Sequence, residues 1–386
     1  MFAWYPVDCF TGCRRQIVSS LYYICISSKE SSMEPVKGYL EIMDKGFGFL
    51  RNIEENFFPK PENPYVPTSL IHKLNLREGS FIEGIGEQKG PNNPNLALIR
   101  VEAINALPVE AFNKIPLLQD QTSINPFERY MLKQNDTDIT GAALDMIVPI
   151  GMGQRGLIIS PPKSGKTTLL KHMANSIVLN HPDSKVFILL VDERPEEVTD
   201  FQRGVKNARI LYSSADQQTS QHMRMTRLAM HTAIRCAEIG QDAVVFIDSL
   251  TRMTRAFNAN TDSYGKTMSG GLGSNAMEFP RKIFGAARKL ENGGSLTIIA
   301  TILVETGSRM DDIIFQEFKG TGNMDLFLSR ECAEHRIWPA ININKSGTRK
   351  EDLLMDKKEL EKMIGLRRAV ATKDEKAAMT EFISFL

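Results

Sequence analysis

Four uniformly apolar segments in the second part of the chain, separated by stretches long enough for helices, constrain the fold more than any other feature. They occupy residues 157–159, 186–191, 243–247 and 296–302. A strand without polar alternation is buried on both faces, which occurs where helices cover both sides of a parallel sheet. Residues 135–386 are therefore predicted to form an α/β domain with a mostly parallel sheet.

The first of these strands leads into the sequence SPPKSGKTT at residues 160–168 and then into apolar residues at helical spacing. A strand, a glycine-containing loop and a helix form the context of a phosphate-binding loop, in which backbone N–H groups and the helix N-terminus surround the phosphates. Lys166 is then expected to reach the terminal phosphates, and Thr167 to ligate Mg²⁺. Ser160 stands where the general pattern has glycine, although the Gly-Lys-Thr core is intact.

Two acidic residues follow the next two apolar strands, Glu193 after the second and Asp248 after the third. Ligands of parallel sheets bind outside the carboxyl ends of the strands, so both acids are expected near the phosphate loop. Glu193 is the candidate for activating the water that attacks the γ-phosphate, and Asp248 for holding Mg²⁺. Either acid alone would more often be a helix cap or a surface charge. The phosphate loop is what favours the catalytic interpretation.

Arg349 lies far along the chain from the phosphate loop. An arginine supplied by a neighbouring subunit can stabilise the charge of a phosphoryl group during transfer. The ordinary alternative is a surface ion pair.

The first part of the chain has a different pattern. Residues 38–101 contain short alternating segments broken by clusters of Asn, Pro and Gly, which is typical of a small antiparallel barrel or sandwich. We assign residues 33–105 to this domain and residues 106–134 to a linker, because Pro108, Pro116 and Pro126 exclude a long helix there.

One strand of this domain, KGFGFLR at residues 45–51, places Phe47 and Phe49 on the same face with Arg51 in step. Exposed aromatic rings can stack on unpaired bases. The alternative is that both rings form the core of the barrel.

Composition limits the remaining choices. Lys plus Arg total 47 against 46 Asp plus Glu, so any nucleic-acid site must be local. The five cysteines are unpaired in spacing, which favours a reducing cytoplasm, although Cys9 and Cys13 leave half of a metal site as an alternative. No apolar run reaches the roughly eighteen residues of a membrane span. Residues 1–32 are predicted to be a poorly ordered leader, with Met33 as a candidate natural start.

Several longer strings occur in the order and spacing of one known family. They are GFGFLRN, PPKSGKT, DERPEEVTDFQR, IDSLTRMTRAFN, GGSLTIIAT, FKGTGNMDLFLSR and SGTRKEDLL. On these strings the chain resembles the bacterial transcription termination factors called Rho, from about residue 38 onward. The resemblance implies a homohexamer of RecA-like ATPase domains, each preceded by a cold-shock or OB-type barrel. It implies an ATP-dependent RNA translocase or helicase that binds nascent single-stranded RNA and acts on the RNA polymerase elongation complex.

The resemblance also implies nucleotide contacts. Near the base it places a loop formed by Gly151, Met152, Gly153, Gln154, Arg155 and Gly156. Around the phosphates it places Lys163, Ser164, Gly165, Lys166, Thr167 and Thr168. Arg194 would sense the γ-phosphate, and Arg252 would belong to the catalytic neighbourhood. Trp338 would stack on adenine, with packing in the core as the alternative.

RNA contacts are implied at two places. On the barrel they involve Gly46, Phe47, Gly48, Phe49, Leu50, Arg51, Asn63 and Tyr65. In two loops facing a central pore they involve Lys266, Thr267, Gly270, Gly271 and Arg309, with solvated mobile loops as the alternative. Where the family has an acid and a tyrosine that help select cytosine, this chain has Asn93 and Asn95. A strong cytosine preference is therefore in doubt.

Two other classes of protein remain as alternatives. A rotary or secretion-type ATPase subunit would have the same nucleotide-binding core in a ring but would act on protein or membrane partners. A non-catalytic RNA-binding protein would keep only a vestigial nucleotide site. RNA-stimulated ATP hydrolysis distinguishes all three.

Overall fold

The computed structural model of the chain describes residues 33–88, 95–259, 273 and 276–386. The expected leader, with Cys9 and Cys13, lies outside the described residues. None of the helices in the described parts combines the length and apolarity needed to cross a membrane.

The N-terminal domain is a closed five-stranded barrel in the order β1-β2-β3-β5-β4, with β1 also paired to β4. Alternation turns Leu40, Leu50 and Ile82 into its core. Phe47 and Phe49 are not part of that core, so the core interpretation of these rings is wrong. The elements are β1 (Met33–Ile42), β2 (Gly48–Arg51), β3 (Tyr65–Val66), α1 (Thr68–Lys73), β4 (Phe81–Gln88) and β5 (Leu96–Ile104).

The residues between the barrel and the larger sheet do not form a free connector. A short helix, α2 (Val109–Phe112), is followed by β6 (Ser123–Ile124) and β7 (Arg129–Tyr130), and both strands pair with strands of the larger α/β domain. The described helix in this segment spans four residues, in keeping with its prolines.

The larger α/β domain is built on a sheet whose main path is β11-β10-β12-β14-β9-β15-β16. The pairings from β11 to β15 are parallel, while β16 and the short β13 pair antiparallel, which confirms the predicted mostly parallel sheet. The strands of this sheet are β9 (Arg155–Ser160), β10 (Lys185–Glu193), β11 (Arg209–Ser214), β12 (Asp242–Asp248), β13 (Arg288–Leu290), β14 (Ser295–Leu303), β15 (Met324–Phe327) and β16 (Gly347–Thr348), together with β6, which pairs with β13. A separate two-stranded sheet is formed by β7 and β8 (Ile150–Gly151).

Helices cover both faces of this sheet, and each face has its own apolar core. Leu170, Met173, Ala174 and Ile177 are buried together on one side, as their helical spacing predicts. The helices are α3 (Ile139–Ile147), α4 (Lys166–Asn180), α5 (Pro195–Gly204), α6 (Thr219–Glu238), α7 (Leu250–Ala259), α8 (Glu278–Phe284), α9 (Arg309–Lys319), α10 (Arg330–Glu334), α11 (Lys357–Val370) and α12 (Glu375–Ser384).

The barrel packs directly against α6. Gly79 has a φ of +80°, and a Cβ at this position would lie 2.5 Å from the carbonyl carbon of His231 and from the amide nitrogen of Thr232. Glycine is therefore needed here both for its left-handed backbone and for the close approach of two backbones. Asn56 adds a pair of hydrogen bonds to the backbone of Tyr212, at 2.8 and 2.9 Å.

We predict that Gly79→Ala lowers the stability of the protein by about 1–3 kcal/mol more than Gly240→Ala, because overpacking adds to backbone strain. Gly240 is the matched control, since its φ is +92° but nothing lies within 4 Å of a Cβ there. The midpoints of thermal unfolding measure the difference. Equal midpoints for the two variants would show that the contact with α6 is not close-packed in solution.

Candidate nucleotide site and aromatic RNA-facing cluster

The phosphate loop connects β9 to α4 and contains two residues with a left-handed backbone, Lys163 at φ 64° and Gly165 at φ +85°. Ser160, which replaces the glycine of the general pattern, is buried, and its hydroxyl lies 2.9 Å from that of Ser164. Its side chain is therefore accommodated inside the loop. Lys163 and Thr168 are exposed at the surface of the loop.

Lys166 joins the phosphate loop to the end of the third predicted strand. Its Nζ donates to Asp248 Oδ1 at 2.5 Å and to Oδ2 at 2.6 Å. Asp248 is buried at the end of β12 and also accepts a hydrogen bond from the hydroxyl of Thr301 at 2.8 Å. The lysine of the loop and the carboxylate predicted for Mg²⁺ thus lie at the same point of the sheet.

Glu193 is fully buried at the end of β10, with 0% of its surface exposed. Its Oε1 accepts hydrogen bonds from Arg252 at 3.0 Å and from the amide of Arg194 at 3.2 Å. Among the described residues its Oε2 has no hydrogen-bond partner. Burial and the negative charge of Asp248 raise the pKa of Glu193 to about 7, against the opposing charges of Lys166 and Arg252. Such a carboxyl can hold or release a proton near neutral pH.

Arg252 lies where the resemblance implied, in the catalytic neighbourhood. It follows Asp248 on α7, and its Nη1 donates to the backbone oxygen of Asp192 at 2.5 Å. His222 of α6 also approaches this point, with Nε2 3.9 Å from Asp192 Oδ1. No sequence signal points to His222, because a single buried histidine on an amphipathic helix carries no motif.

Trp338 lies over the phosphate loop, since a Cβ on Gly165 would be 2.5 Å from its ring. The indole is 45% exposed, so the core-packing alternative is wrong. It lines a small cavity of about 120 Å³ together with Thr168, Leu169 and His172. A flat ligand group could occupy the space beside the indole face.

The loop formed by residues 151–156 does not lie beside the phosphate loop of its own chain. It leads into β9 and includes the first two residues of that strand, whereas the phosphate loop follows β9, so the two segments lie at opposite ends of the strand. Its neighbour is Arg349, whose positive charge contributes to lowering the pKa of Arg155, after the larger effects of burial and Arg288. Arg349 is exposed just beyond β16. Contact of this loop with a nucleotide stays a prediction, and it requires a neighbouring subunit.

The buried polar groups of this loop explain its sequence. Gly153 has a φ of +103° and donates its N–H to the Thr297 hydroxyl at 2.7 Å. Gln154 is buried and donates to the Asn323 side chain at 2.7 Å.

Three aromatic rings form a cluster on the barrel. The ring centroids of Phe47, Phe49 and Tyr65 lie 5.7 to 5.9 Å apart, and each ring is partly exposed. Gly48 is required between the two phenylalanines, because a Cβ there would lie 2.7 Å from the backbone oxygen of Glu41. Partly exposed, mutually supporting rings can offer a stacking surface to bases.

Three residues predicted to contact RNA have buried side chains instead, namely Leu50, Arg51 and Asn63. Leu50 is 1% exposed and belongs to the barrel core, because alternation turns it away from the neighbouring rings. Arg51 is 4% exposed, and its guanidinium lies beneath the ring of Phe49, 4.7 Å from the centroid. The prediction that the Leu50 side chain contacts RNA is therefore wrong. Arg51 supports the aromatic cluster from the inner side of the Phe49 ring.

The other predicted RNA residues are only partly described. Asn63 is buried and accepts from Arg51 at 2.6 Å, and Asn95 donates to the backbone oxygen of Asn63 at 3.1 Å. Gly46 has a φ of +84° in the turn before the aromatic strand. Arg309 is exposed at the start of α9. Asn93, Lys266, Thr267, Gly270 and Gly271 lie outside the described residues.

Comparison with known proteins gives the family. Residues 36–110 match the Rho termination factor RNA-binding domain, and residues 141–348 match the nucleotide-binding domain of the ATP synthase alpha/beta family. The transcription termination factor Rho of Aquifex aeolicus is 47% identical over 358 residues, covering 92% of this chain and 82% of that protein. Its counterpart from Thermotoga maritima is 45% identical over 350 residues, covering 91% and 82%.

Solved structures resemble the larger half. A prototypical ATPase from the type III secretion system of pathogenic bacteria matches with a TM-score of 0.55 and 23% identity over 65% of this chain and 70% of that one. An ATP synthase subunit from Nanoarcheaum equitans matches with a TM-score of 0.53 and 19% identity, over 65% and 63%. At this identity the likeness concerns the fold alone. On the sequence relatives and the barrel, the chain belongs to the transcription termination factor Rho family.

Proposed function

We propose that this protein is an RNA-dependent ATPase that moves along nascent single-stranded RNA and terminates transcription. The observation that carries the proposal is the combination of two sites in one chain. An aromatic cluster lies on the barrel, and the strand ends of the attached sheet bring Lys166, Asp248, Glu193 and Arg252 together. A rotary or secretion-type ATPase has no use for a barrel with a stacking surface for bases.

The phosphate loop holds the phosphates of ATP through Lys163, Lys166 and its backbone N–H groups. Thr167 and Asp248 are suited to Mg²⁺, because the hydroxyl at the start of α4 and the carboxylate at the end of β12 are both oxygen donors. Bound there, the metal would neutralise charge on the phosphate oxygens. Lys166 then shifts its contact from Asp248 towards the terminal phosphate.

Glu193 accepts a proton from the attacking water through Oε2, the oxygen that no described residue occupies. Arg252 holds the other oxygen in place, and Arg194, exposed beside it, senses the γ-phosphate. Trp338 stacks on adenine beside the loop.

The sites are completed between subunits of a homohexamer. Arg349 and residues 151–156 lie at the end of β9 opposite to the phosphate loop, so one chain presents them to the phosphate loop of its neighbour. Arg309 and the loop containing Lys266 face RNA in the pore of the ring. The partner is the RNA polymerase elongation complex in the cytoplasm.

Base preference is expected to be modest. Stacking tolerates any base, whereas selection depends on hydrogen bonds to base edges. The side-chain amide of Asn95 already donates to the backbone of Asn63. One N–H of the Asn95 amide is therefore already used, and the short Asn side chain lacks the aromatic ring of the tyrosine that the family has in its place.

We expect single-stranded RNA to stimulate ATP hydrolysis. Phe49→Ala should raise the RNA concentration needed for half-maximal stimulation about tenfold, the scale of one lost stacking contact. Phe58→Ala is the control, because Phe58 is 39% exposed on the same half but outside the cluster. Phosphate release is measured with poly-cytidine and with poly-uridine at one salt concentration. A rate of hydrolysis that does not change when RNA is added would favour the rotary or secretion-type alternative. A preference for poly-cytidine of about a hundredfold would contradict the proposed weak base selection.

The pKa of Glu193 predicts a pH profile. Since the pKa is raised to about 7 and the base must be ionised, kcat/KM for ATP should rise with pH and level off above that value. Glu193→Gln should reduce turnover about a hundredfold or more and remove the rising limb. Glu197→Gln is the control, because Glu197 lies in the first turn of α5, and this variant should retain turnover. A rising limb that persists in Glu193→Gln would assign the titration to another group.

The arrangement between subunits can be tested by mixing inactive variants. A ring containing Lys166→Ala and Arg349→Ala subunits should regain some activity, because one subunit contributes the phosphate loop and the other the arginine. The matched control mixes Arg349→Ala with the Lys166→Ala/Arg349→Ala double variant. No subunit in these rings has Arg349, so no activity should return. Absence of rescue in rings shown by native mass spectrometry to contain both single variants would contradict the arrangement.

A further inference from the structure

Glu41 lies at the boundary between the barrel and the ATPase half and is 1% exposed. Its Oε2 accepts from Arg51 at 2.6 Å and from Nη2 of Arg224 at 2.8 Å, and its Oε1 accepts from Nε of Arg224. Burial alone would raise the pKa of Glu41, but the hydrogen bonds and charges of Arg224 and Arg51 lower it below the ordinary value. One ionised carboxylate thus binds an arginine from each half of the molecule.

The charges of this triad do not balance. Two guanidinium groups face one carboxylate, and in the described parts of the chain neither Arg51 nor Arg224 has a second acidic partner. Nη2 of Arg224 also donates to the backbone oxygen of Phe57, at 2.7 Å. Glu41 therefore compensates the positive charge of Arg51 only in part, and the guanidinium can also interact with the groups on its other side.

Those groups belong to the RNA-facing surface. The guanidinium of Arg51 lies 4.7 Å from the ring centroid of Phe49, and its Nη1 donates to Asn63 at 2.6 Å. Asn63 in turn holds Asn95 through its backbone oxygen, and it precedes Tyr65 by two residues. Arg51 therefore supports the aromatic cluster and the neighbouring loop at the same time.

We propose that Arg224, a residue of the ATPase half, is a positioning residue for RNA binding by the barrel. It occupies one side of Glu41 and so leaves Arg51 directed at Phe49 and Asn63. Without Arg224, Glu41 is free to take Arg51 in a bidentate pair, the geometry that guanidinium and carboxylate prefer. The cation then moves away from the ring that it supports. This inference rests on the proposed function, because it requires RNA to stack on the cluster.

Linkage makes the effect reciprocal. If Arg224 strengthens RNA binding, RNA on the cluster strengthens the contact between Glu41 and Arg224 by the same free energy. RNA binding would therefore strengthen the contact between the barrel and α6.

The test uses the full chain, without nucleotide, and a short fluorescein-labelled oligocytidylate whose affinity is read by fluorescence anisotropy. Arg224→Ala should weaken binding about threefold to tenfold, the scale of a lost cation–π contact in a buried setting. Arg224→Lys keeps a charge beside Glu41 and should restore most of the affinity. Arg227→Ala is the matched control, because Arg227 lies on the same helix and pairs with Glu78 of the barrel half at 3.3 Å without touching Glu41. Its affinity should stay within about twofold of wild type.

A double variant separates positioning from general damage. In a Phe49→Ala background, Arg224→Ala should weaken binding by less than about twofold, because the ring through which it acts is gone. Full additivity of the two losses, equal losses in Arg224→Ala and Arg227→Ala, or unchanged affinity in Arg224→Ala would each overturn the inference. A wild-type protein that binds no RNA would contradict the proposed function as well, so the two failures are distinguishable.

Discussion

Parallel pairing of β9, β14, β12 and β10 decides where the chemistry of this protein lies. Because all four strands run in one direction, their carboxyl ends meet at a single edge, and each end can contribute one polar side chain there. Residues separated by dozens of positions in sequence, such as Lys166 and Asp248, come within hydrogen-bond distance as a result. The opposite edge receives Arg349 and residues 151–156. In the proposed function these two groups of residues belong to one nucleotide site formed by two neighbouring subunits, which are brought together by assembly into a ring.

Burial at this edge also sets the protonation of Glu193. The carboxyl is enclosed by the sheet and lies near a second negative charge, so its ionised form is less favourable than in water. Lys166 and Arg252 counteract this effect without cancelling it. The balance leaves the carboxyl poised between its two protonation states near neutral pH, which suits a group that exchanges a proton with water. If Lys166 turned towards a phosphate, the balance at Glu193 would change, since one of its two compensating cations would move.

Polar side chains contribute to the junction between the barrel and the ATPase half. Glu41, Arg51 and Arg224 are held there by hydrogen bonds, while Gly79 allows the backbones to approach closely. Helix α6 contributes residues to this junction and also to the surroundings of the candidate nucleotide site. Two residues before Arg224, His222 approaches Asp192, which precedes the buried Glu193. The N-terminal part of α6 thus contacts Glu41 through Arg224 and approaches the residue before the buried Glu193 through His222.

The sequence by itself determined the fold class and the residues of the phosphate loop, since a buried strand, a glycine-containing loop and a helix are contiguous and are specified by local pattern. It also placed Phe47 and Phe49 outside the barrel core as one of two alternatives, because alternation defines a face without saying which face is inside. Only the tertiary structure decided that Leu50 and Arg51 are buried, that Glu41 joins arginines from two halves, and that residues 151–156 lie away from their own phosphate loop. Each of these depends on contacts between segments far apart in the chain. Burial, charge compensation and the end of a strand at which a loop emerges are set by such contacts and not by neighbouring residues.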